Sequence, residues 1–248
     1  VAPHLPTHFR SLVPTHSSET FGRKELAEWL CHPDHPLVAR VIVNRVWQYH
    51  FGKGLVATPN DFGLGGESPT HPELLDWLAH WLVREAGWSL KKLHRMILTS
   101  NTFRMSQQGL PKSVKADPQN RLYSRFPRHR LEVEAIHDAM LDASGRLNSK
   151  MFGPPFYPFL NEEVKRSHES AHRAWLPFAE RDASRRAIYA VVKRSLAVPF
   201  FEAMDRSDPN RCVGQRTASS GASHALVALN DEFVVRQSRR LAERMTRE

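Results

Sequence analysis

The clearest catalytic pattern in the chain is His168-Glu169-Ser170-Ala171-His172, which matches H-E-x-x-H. On a helix, this spacing places both imidazoles on one face, where they can bind zinc while the glutamate acts as general base. Basic residues rather than an apolar core flank the motif, and a chain with 14 histidines also produces such matches by chance. Two alternatives follow: a zinc-dependent hydrolase built on His168, Glu169 and His172, or a polar segment without metal.

A second candidate is a group of polar side chains on and after the first long apolar helix that the sequence predicts. Arg40, Asn44 and Gln48 recur every four residues and therefore share a helix face. The candidate polar site consists of Arg40, Asn44, Arg45, Asp61, His71 and Asp76. These residues either bind a ligand or form a structural network, in which an arginine pairs with an aspartate and Asn44 bonds to loop backbone, because buried polar groups need partners.

The positive charge is concentrated in one stretch. The chain has a net charge of +9, and residues 84–130 contain 11 basic and 2 acidic residues. The candidate anion-binding residues are Lys91, Lys92, Arg95 and Arg104. The stretch is typical of a surface for a polyanion or a nucleic acid, or else of a solvated face. Reading bases would need a docked recognition helix, for which the sequence offers no other sign, so nucleic acid is not the expected partner.

A further polar population lies between residues 128 and 216. Its members are Arg128, Arg130, Glu132, Glu134, Asp138, Arg185, Arg186, Arg194, Asp205 and Arg216. Arginine suits bidentate recognition of carboxylates, whether they belong to the protein or to a ligand. Arg130 and Glu134 are four residues apart, and this spacing predicts an ion pair within one helix.

Apolar residues that recur every three or four positions predict a mainly α fold. Residues 1–22 are rich in proline, serine, threonine and histidine and are expected to be a linker, followed by one domain over residues 23–248. Helices are predicted over 23–30, 36–50, after Ser89, 131–147 and 222–245, the last interrupted near Asn230 and Asp231. Asp117-Pro118 is predicted to open another short helix. A small β element is predicted near residues 186–192, and an irregular Pro/Gly/aromatic insertion over 149–182.

Cysteine content and hydropathy exclude several classes of protein. Only Cys31 and Cys212 are present, which excludes a disulfide framework and favours two free, buried thiols. No apolar run approaches the roughly 20 residues of a membrane-spanning helix. There is no C-x-x-C-H motif, so no haem attachment is expected in this chain. The start, Val-Ala-Pro-His, is expected to lie inside a longer protein.

The order of the motifs resembles a known family. These motifs include RKELAEWL, HPLVARVIVNRVWQYHFGKGLV, PNDFGLGGESPTHPELLDWLA and GWSLKKLHRMILTS. Together with shorter blocks that continue to the C-terminus, they resemble the planctomycete PSD-type domain of unknown function. The resemblance implies an exported, multidomain protein with cytochrome-c-like and cytochrome-associated neighbours, which would hold any haem and would be the partners of this chain. It implies no established activity.

The chain departs from the family pattern at four positions. His35 and Val38 stand in a segment that usually reads Asn-Pro-Leu-Thr, His137 stands where arginine is usual, and His224 stands where glutamine is expected. These departures put in doubt any ligand contact that those positions make in relatives. The function expected from the sequence is therefore an uncharacterised binding and assembly module of an exported, cytochrome-associated protein, with no catalytic residue assigned.

Overall fold

The computed structural model describes residues 22–160, 163–164, 175, 180–219 and 221–247. The chain divides into two compact units, Val1–His129 and Arg130–Glu248, each taken by itself below. The described residues are mainly helical, which confirms the predicted fold class. The predicted linker lies outside the described residues except for Gly22, and the single domain over 23–248 stays a prediction.

The first unit contains five helices among its described residues. They are α1 (Arg23–Leu30), α2 (Val38–Phe51), α3 (Pro72–Arg84), α4 (Leu90–Thr99) and α5 (Pro111–Ala116). His35 prepares the start of α2, because its Nδ1 accepts hydrogen bonds from the backbone N–H groups of Leu37 and Val38 at 3.2 and 3.3 Å. Gly52 ends α2 in the left-handed conformation, with φ of 77°.

The core of the first unit forms where α2 packs against α3 and α4. The buried apolar residues are Val43, Val46, Trp47, Phe51, Leu55, Val56, Leu75, Leu78, Leu82, Ala86, Leu93 and Ile97. Trp47 stacks on Phe51 and donates its indole N–H to the Tyr123 hydroxyl at 2.8 Å. The apolar face of α2 is therefore the centre of this unit, and its polar residues must fit around that packing.

The second unit is built mainly from α6 (Val133–Ala143), α9 (Ala222–Asn230) and α10 (Glu232–Met245). Two short helices, α7 (Glu180–Ala183) and α8 (Pro199–Ala203), lie between α6 and α9 in the chain. The predicted interruption near Asn230 is confirmed, because the Asp231 carboxylate accepts the N–H groups of Phe233 and Val234 and caps α10.

The core of the second unit is rich in aromatic residues. Its buried members are Val133, Phe156, Leu160, Trp175, Ala187, Ala190, Leu196, Val198, Phe200, Phe201, Met204 and Val234. They come from α6, α8, α10 and the irregular segments between them, so the helices pack around loop residues as well as around one another.

The predicted β element at residues 186–192 is reduced to isolated bridges. Ala187–Tyr189 forms one turn of 3₁₀ helix, and Ala190 pairs with Phe156 in a single parallel bridge. The N–H of Ala187 donates to the Asp138 carboxylate at 2.6 Å, so it is not available to a strand partner. The described part of the chain therefore contains bridges but no extended strand.

Both cysteines are free, but the prediction that they are buried is wrong. Cys31 and Cys212 are exposed, the first directly after α1 and the second in the polar loop before α9. Among the described residues, no helix has the length and apolar character needed to cross a membrane.

Candidate functional site

Asn44 is the most deeply buried member of the predicted polar site. Its side chain is fully buried in α2, where Oδ1 accepts the Val56 N–H at 2.8 Å and Nδ2 donates to the Val56 carbonyl at 3.0 Å. Gly54 lies directly against it, because a Cβ at that position would stand 2.7 Å from the Asn44 amide and 2.6 Å from the Val56 oxygen. Asn44 therefore fixes the loop after α2 through its backbone.

Arg40 and Asp76 join α2 to α3. The Arg40 Nε donates to the Asp76 Oδ1 at 2.5 Å, and one Nη donates to the Pro36 carbonyl at 2.6 Å. The two side chains are 32% and 54% exposed, so this ion pair stabilises the unit by no more than about 1 kcal/mol. The predicted pairing of an arginine with an aspartate is present here.

The other three members of the predicted site form hydrogen bonds with residues other than Arg40 and Asp76. Arg45 is exposed and donates to Asn60 at 3.2 Å. Asp61 is also exposed and accepts the Gly63 N–H at 2.8 Å, which makes Asp61-Phe62-Gly63 a turn. The Nδ1 of His71 lies 2.9 Å from the Thr70 hydroxyl. The structure thus pairs Arg40 with Asp76, whereas the other four residues hydrogen-bond to groups outside the predicted site. The role of all six in binding stays a prediction.

The candidate anion-binding residues all reach solvent. Lys91, Lys92 and Arg95 are exposed on α4, whose first turn is capped by Ser89, and Arg104 is exposed in the turns that follow. Within the described ranges these four side chains make no hydrogen bond or ion pair. They stay candidates for a polyanion, whereas Arg84 in the same basic stretch is paired with Asp34.

In the second unit, Asp205 lies at the centre of a polar cluster. Its carboxylate accepts the Ser219 N–H at 2.8 Å, the Ser219 hydroxyl at 2.8 and 3.0 Å, and Arg130 at 2.7 Å. The Nε2 of His224 lies 3.4 Å from the same carboxylate. The Ser219 N–H, followed by its hydroxyl and the charge of Arg130, lowers the pKa of Asp205 below its usual value.

Glu134 forms the second centre of the same cluster. Arg216 donates to it at 2.6 Å and also lies 3.3 Å from Glu132, while Arg206 approaches Glu134 at 3.9 Å. Burial alone would raise the pKa of Glu134, but the Arg216 hydrogen bond and the nearby positive charges lower it overall. Arginine–carboxylate pairing therefore links the start of α6 to the segment that follows α8.

The predicted Arg130–Glu134 pair is wrong. The helix begins only at Val133, so the two residues do not share a helical face. Arg130 pairs instead with Asp205, 75 residues away, and Glu134 with Arg216, 82 residues away. Sequence reasoning also missed Arg206 and Ser219, because no short-range spacing signals contacts between such distant segments.

His137 and Asp138 lie next to this region on α6. The His137 ring is buried and stacks in parallel on Phe233, with centroids 4.7 Å apart, and its Nδ1 lies 3.2 Å from Asp138. Burial raises the pKa of Asp138, but hydrogen bonds from His137 and the Ala187 N–H lower it overall. Three of the departures from the family pattern are histidines, and each makes a contact within its own unit. His35 accepts backbone N–H groups before α2, His137 lies beside Asp138, and His224 lies beside Asp205.

Replacing Asp205 with asparagine is expected to destabilise the protein more at pH 7 than at pH 3. The pKa of Asp205 is lower in the folded protein than in the unfolded chain. The ionised carboxylate therefore contributes its full stability above about pH 4, the usual pKa of aspartate. This contribution decreases as the pH falls from there through the folded pKa. Urea unfolding at both pH values measures the difference. Asp142→Asn, an exposed change on α6, should have little effect at either pH. An Asp205→Asn deficit as large at pH 3 as at pH 7 would contradict the assignment.

The predicted zinc motif, His168, Glu169 and His172, lies outside the described residues, so zinc hydrolysis stays a prediction. Across the described ranges, there is no group of three or more histidine, cysteine, aspartate or glutamate side chains placed to hold a metal ion.

The fold and its polar clusters define a mainly helical module in which several charged side chains form ion pairs between distant segments of the same unit. A family model described as PSD1, protein of unknown function (DUF1553), matches residues 22–248, so the chain belongs to this family. The family resemblance read from the motifs is thereby confirmed, while the planctomycete association stays a prediction. No curated protein matches the chain, and no solved structure does.

Proposed function

We propose that this chain is a binding and assembly module of an exported, multidomain protein with cytochrome-associated neighbours. The observation that carries the proposal is the exposed apolar side of α9. No residue of this helix is buried, and Leu226 and Leu229 are 59% and 73% exposed. Val227 packs against the core and fixes the helix in place. Leu226 and Leu229 are three residues apart and so lie on one face of the helix, where together with the cleft beside α9 they form an apolar surface that another protein can cover.

A cleft beside α9 extends this surface. It has a volume of about 460 Å³, and its lining includes Phe159, Phe200, Phe233 and Leu226. Asp231 and Glu232 also line it and supply polar groups. An apolar centre with a polar margin is the usual composition of a protein interface. The resemblance to a cytochrome-associated family favours the other domains of the same parent protein as the occupant.

The arrangement of charged residues supports binding over catalysis. Asp205 and Glu134 are held by arginines and backbone groups of the same unit, and their lowered pKa values keep them ionised at neutral pH. A general acid or base works best with a pKa near the pH of the reaction. These carboxylates therefore fit a structural role.

The proposal is tested by mixing the chain with the rest of the parent polypeptide, expressed separately, and measuring complex formation by calorimetry. The double variant Leu226→Glu with Leu229→Glu should weaken binding at least tenfold, because it places charge in an apolar contact. Leu64→Glu is the matched control, since Leu64 is 94% exposed in the first unit. Thermal unfolding of each variant confirms that it is folded.

Two results would overturn the proposal. The first is the absence of a complex with the wild-type chain at micromolar concentrations. The second is stoichiometric zinc in protein purified without a histidine tag, together with a hydrolytic activity that is lost in His168→Ala. That second result would assign the chain to the zinc-dependent hydrolases instead.

A further inference from the structure

A second cleft of the second unit, with a volume of about 980 Å³, lies between α10 and the turn that follows α6. Its charged lining is dominated by arginine, and these residues are Arg146, Arg236, Arg239, Arg240, Arg244 and Arg247. Glu232 and Glu243 are the acidic residues of the lining, so its formal charge is +4. This basic cleft is separate in sequence from the basic stretch at residues 84–130.

Five of these arginines form a line along one side of α10 and the residues that follow it. Arg236, Arg240 and Arg244 are spaced by four residues and so share one helix face, with Arg239 beside them and Arg247 in the turn that follows α10. With a rise of 1.5 Å per residue, the line from Arg236 to Arg247 is about 16 Å long. The cleft therefore offers a linear array of guanidinium groups.

Contacts with the rest of the unit hold this array in position. Arg244 donates to the Ala143 carbonyl at 3.2 Å, at the end of α6, and Gln237 accepts the buried Ser144 hydroxyl at 2.9 Å. Arg236 pairs with Glu232 at 2.9 Å and lies over the Phe159 ring at 4.4 Å. Arginine side chains held in this way lose less conformational entropy when they bind a ligand.

The composition of the cleft distinguishes between anionic ligands. Arginine forms paired hydrogen bonds with carboxylate, phosphate and sulfate groups. Glu232 and Glu243 interrupt the array, which disfavours a chain that carries a negative charge on every repeat. None of the described lining residues is aromatic, so there is no platform on which bases could stack. Val235 and Gly145 add neutral surface that suits a polypeptide.

We infer that this cleft binds an acidic peptide segment of a partner protein. In an extended peptide, alternate side chains point the same way and are about 6.7 Å apart, so about five residues span the 16 Å line and present three carboxylates to it. The inference rests on the proposed binding function and names the chemistry of one partner segment. It uses a surface different from the apolar side of α9.

The test uses the whole chain and a fluorescently labelled nine-residue peptide with glutamate at alternate positions, followed by anisotropy at increasing salt. Binding should weaken steadily with salt, because the contacts are ionic and exposed. The double variant Arg239→Glu with Arg247→Glu should lower affinity at least tenfold. Arg23→Glu with Lys24→Glu is the matched control: it makes the same change in net charge at exposed residues of α1 and should leave the affinity within about twofold.

Each other outcome contradicts the inference. An equal loss of affinity in the α1 control would show an effect of net charge alone. Tighter binding of a sulfated oligosaccharide or a DNA duplex of similar length would assign the cleft to another class of ligand. If the peptide does not bind but the complex with the parent polypeptide still forms and still depends on Leu226 and Leu229, the acidic-peptide inference fails while the proposed assembly function stands.

Discussion

Replacing Asn44 with leucine is expected to lower the free energy of unfolding by about 3 kcal/mol. Leucine has the same branched arrangement of side-chain heavy atoms, but its methyl groups are larger than the amide and cannot approach Val56 at hydrogen-bond distance. The Val56 N–H and carbonyl therefore both lose their buried partner. A buried polar group without a partner costs about 1–3 kcal/mol, and here two groups of the same residue are affected. The loop between α2 and α3 should become more mobile when these two hydrogen bonds are lost.

Urea unfolding and hydrogen exchange of the Val56 amide measure this effect. Asn60→Ala is the matched control, because Asn60 is exposed and accepts only one hydrogen bond, from Arg45 at 3.2 Å. It should change the free energy of unfolding by less than about 0.5 kcal/mol. An Asn44→Leu protein as stable as the wild type, with the Val56 amide still protected from exchange, would show that this bond pair does not hold the loop.

Replacing Arg185 with methionine is expected to cost about 4 kcal/mol and to release the segment around residues 150–154. Arg185 is buried, with 4% of its surface exposed. It donates to the carbonyls of Pro154 and Phe152 at 2.6 Å each and to Lys150 at 3.2 Å, and its guanidinium lies 4.0 Å from the centre of the Tyr189 ring. The Arg185 guanidinium therefore holds this irregular loop through hydrogen bonds to its carbonyl groups, where regular secondary structure would use backbone N–H groups.

Methionine fills similar space but donates no hydrogen bond, so the loop carbonyls should turn to solvent. Arg185→Lys should recover little of the loss, since an ammonium cannot reach the same carbonyls as a planar guanidinium. Arg194→Met is the control, because Arg194 is exposed in the same unit. Limited proteolysis near Gly153 and thermal unfolding report the outcome. Equal resistance of the Arg185→Met and wild-type proteins would contradict a role in holding the loop.

Local signals were sufficient to predict much of the helical structure. The helix over 23–30 was predicted with its observed limits, and Ser89 caps α4 by accepting the Lys92 N–H. Asp231 separates α9 from α10 as the sequence indicated. In each case the signal is a side chain that satisfies backbone groups within three residues, so the sequence alone contains both partners.

Two local predictions failed, one because of contacts in the following turn and the other because of a distant group. Asp117 does not open a helix; it follows α5, and its carboxylate accepts the N–H groups of Arg121 and Leu122. These bonds lower the pKa of Asp117. Likewise, the strand pattern at residues 186–192 gives way because Asp138, some 49 residues earlier, accepts the Ala187 N–H.

The candidate site could be predicted only in part for the same reason. The residue types in the first unit were identified from helical spacing, and the structure adds their partners, such as Asp76 for Arg40. The cluster around Asp205 joins segments more than 70 residues apart, which no periodicity indicates. The arginines of α10 lie on a helix that the sequence predicted, but the sequence did not single them out, because the cleft needs the turn after α6 to complete it.

The close approach of Gly54 to Asn44 has a consequence for every relative of this chain. A methyl group at position 54 would occupy the space of the amide, and a longer side chain at position 44 would meet the loop backbone. A residue larger than glycine at position 54, or larger than asparagine at position 44, therefore requires the loop to shift. Across the family, the two should behave as a coupled pair, and a sequence with asparagine at the first and glycine at the second would carry a recognisable fingerprint of this loop.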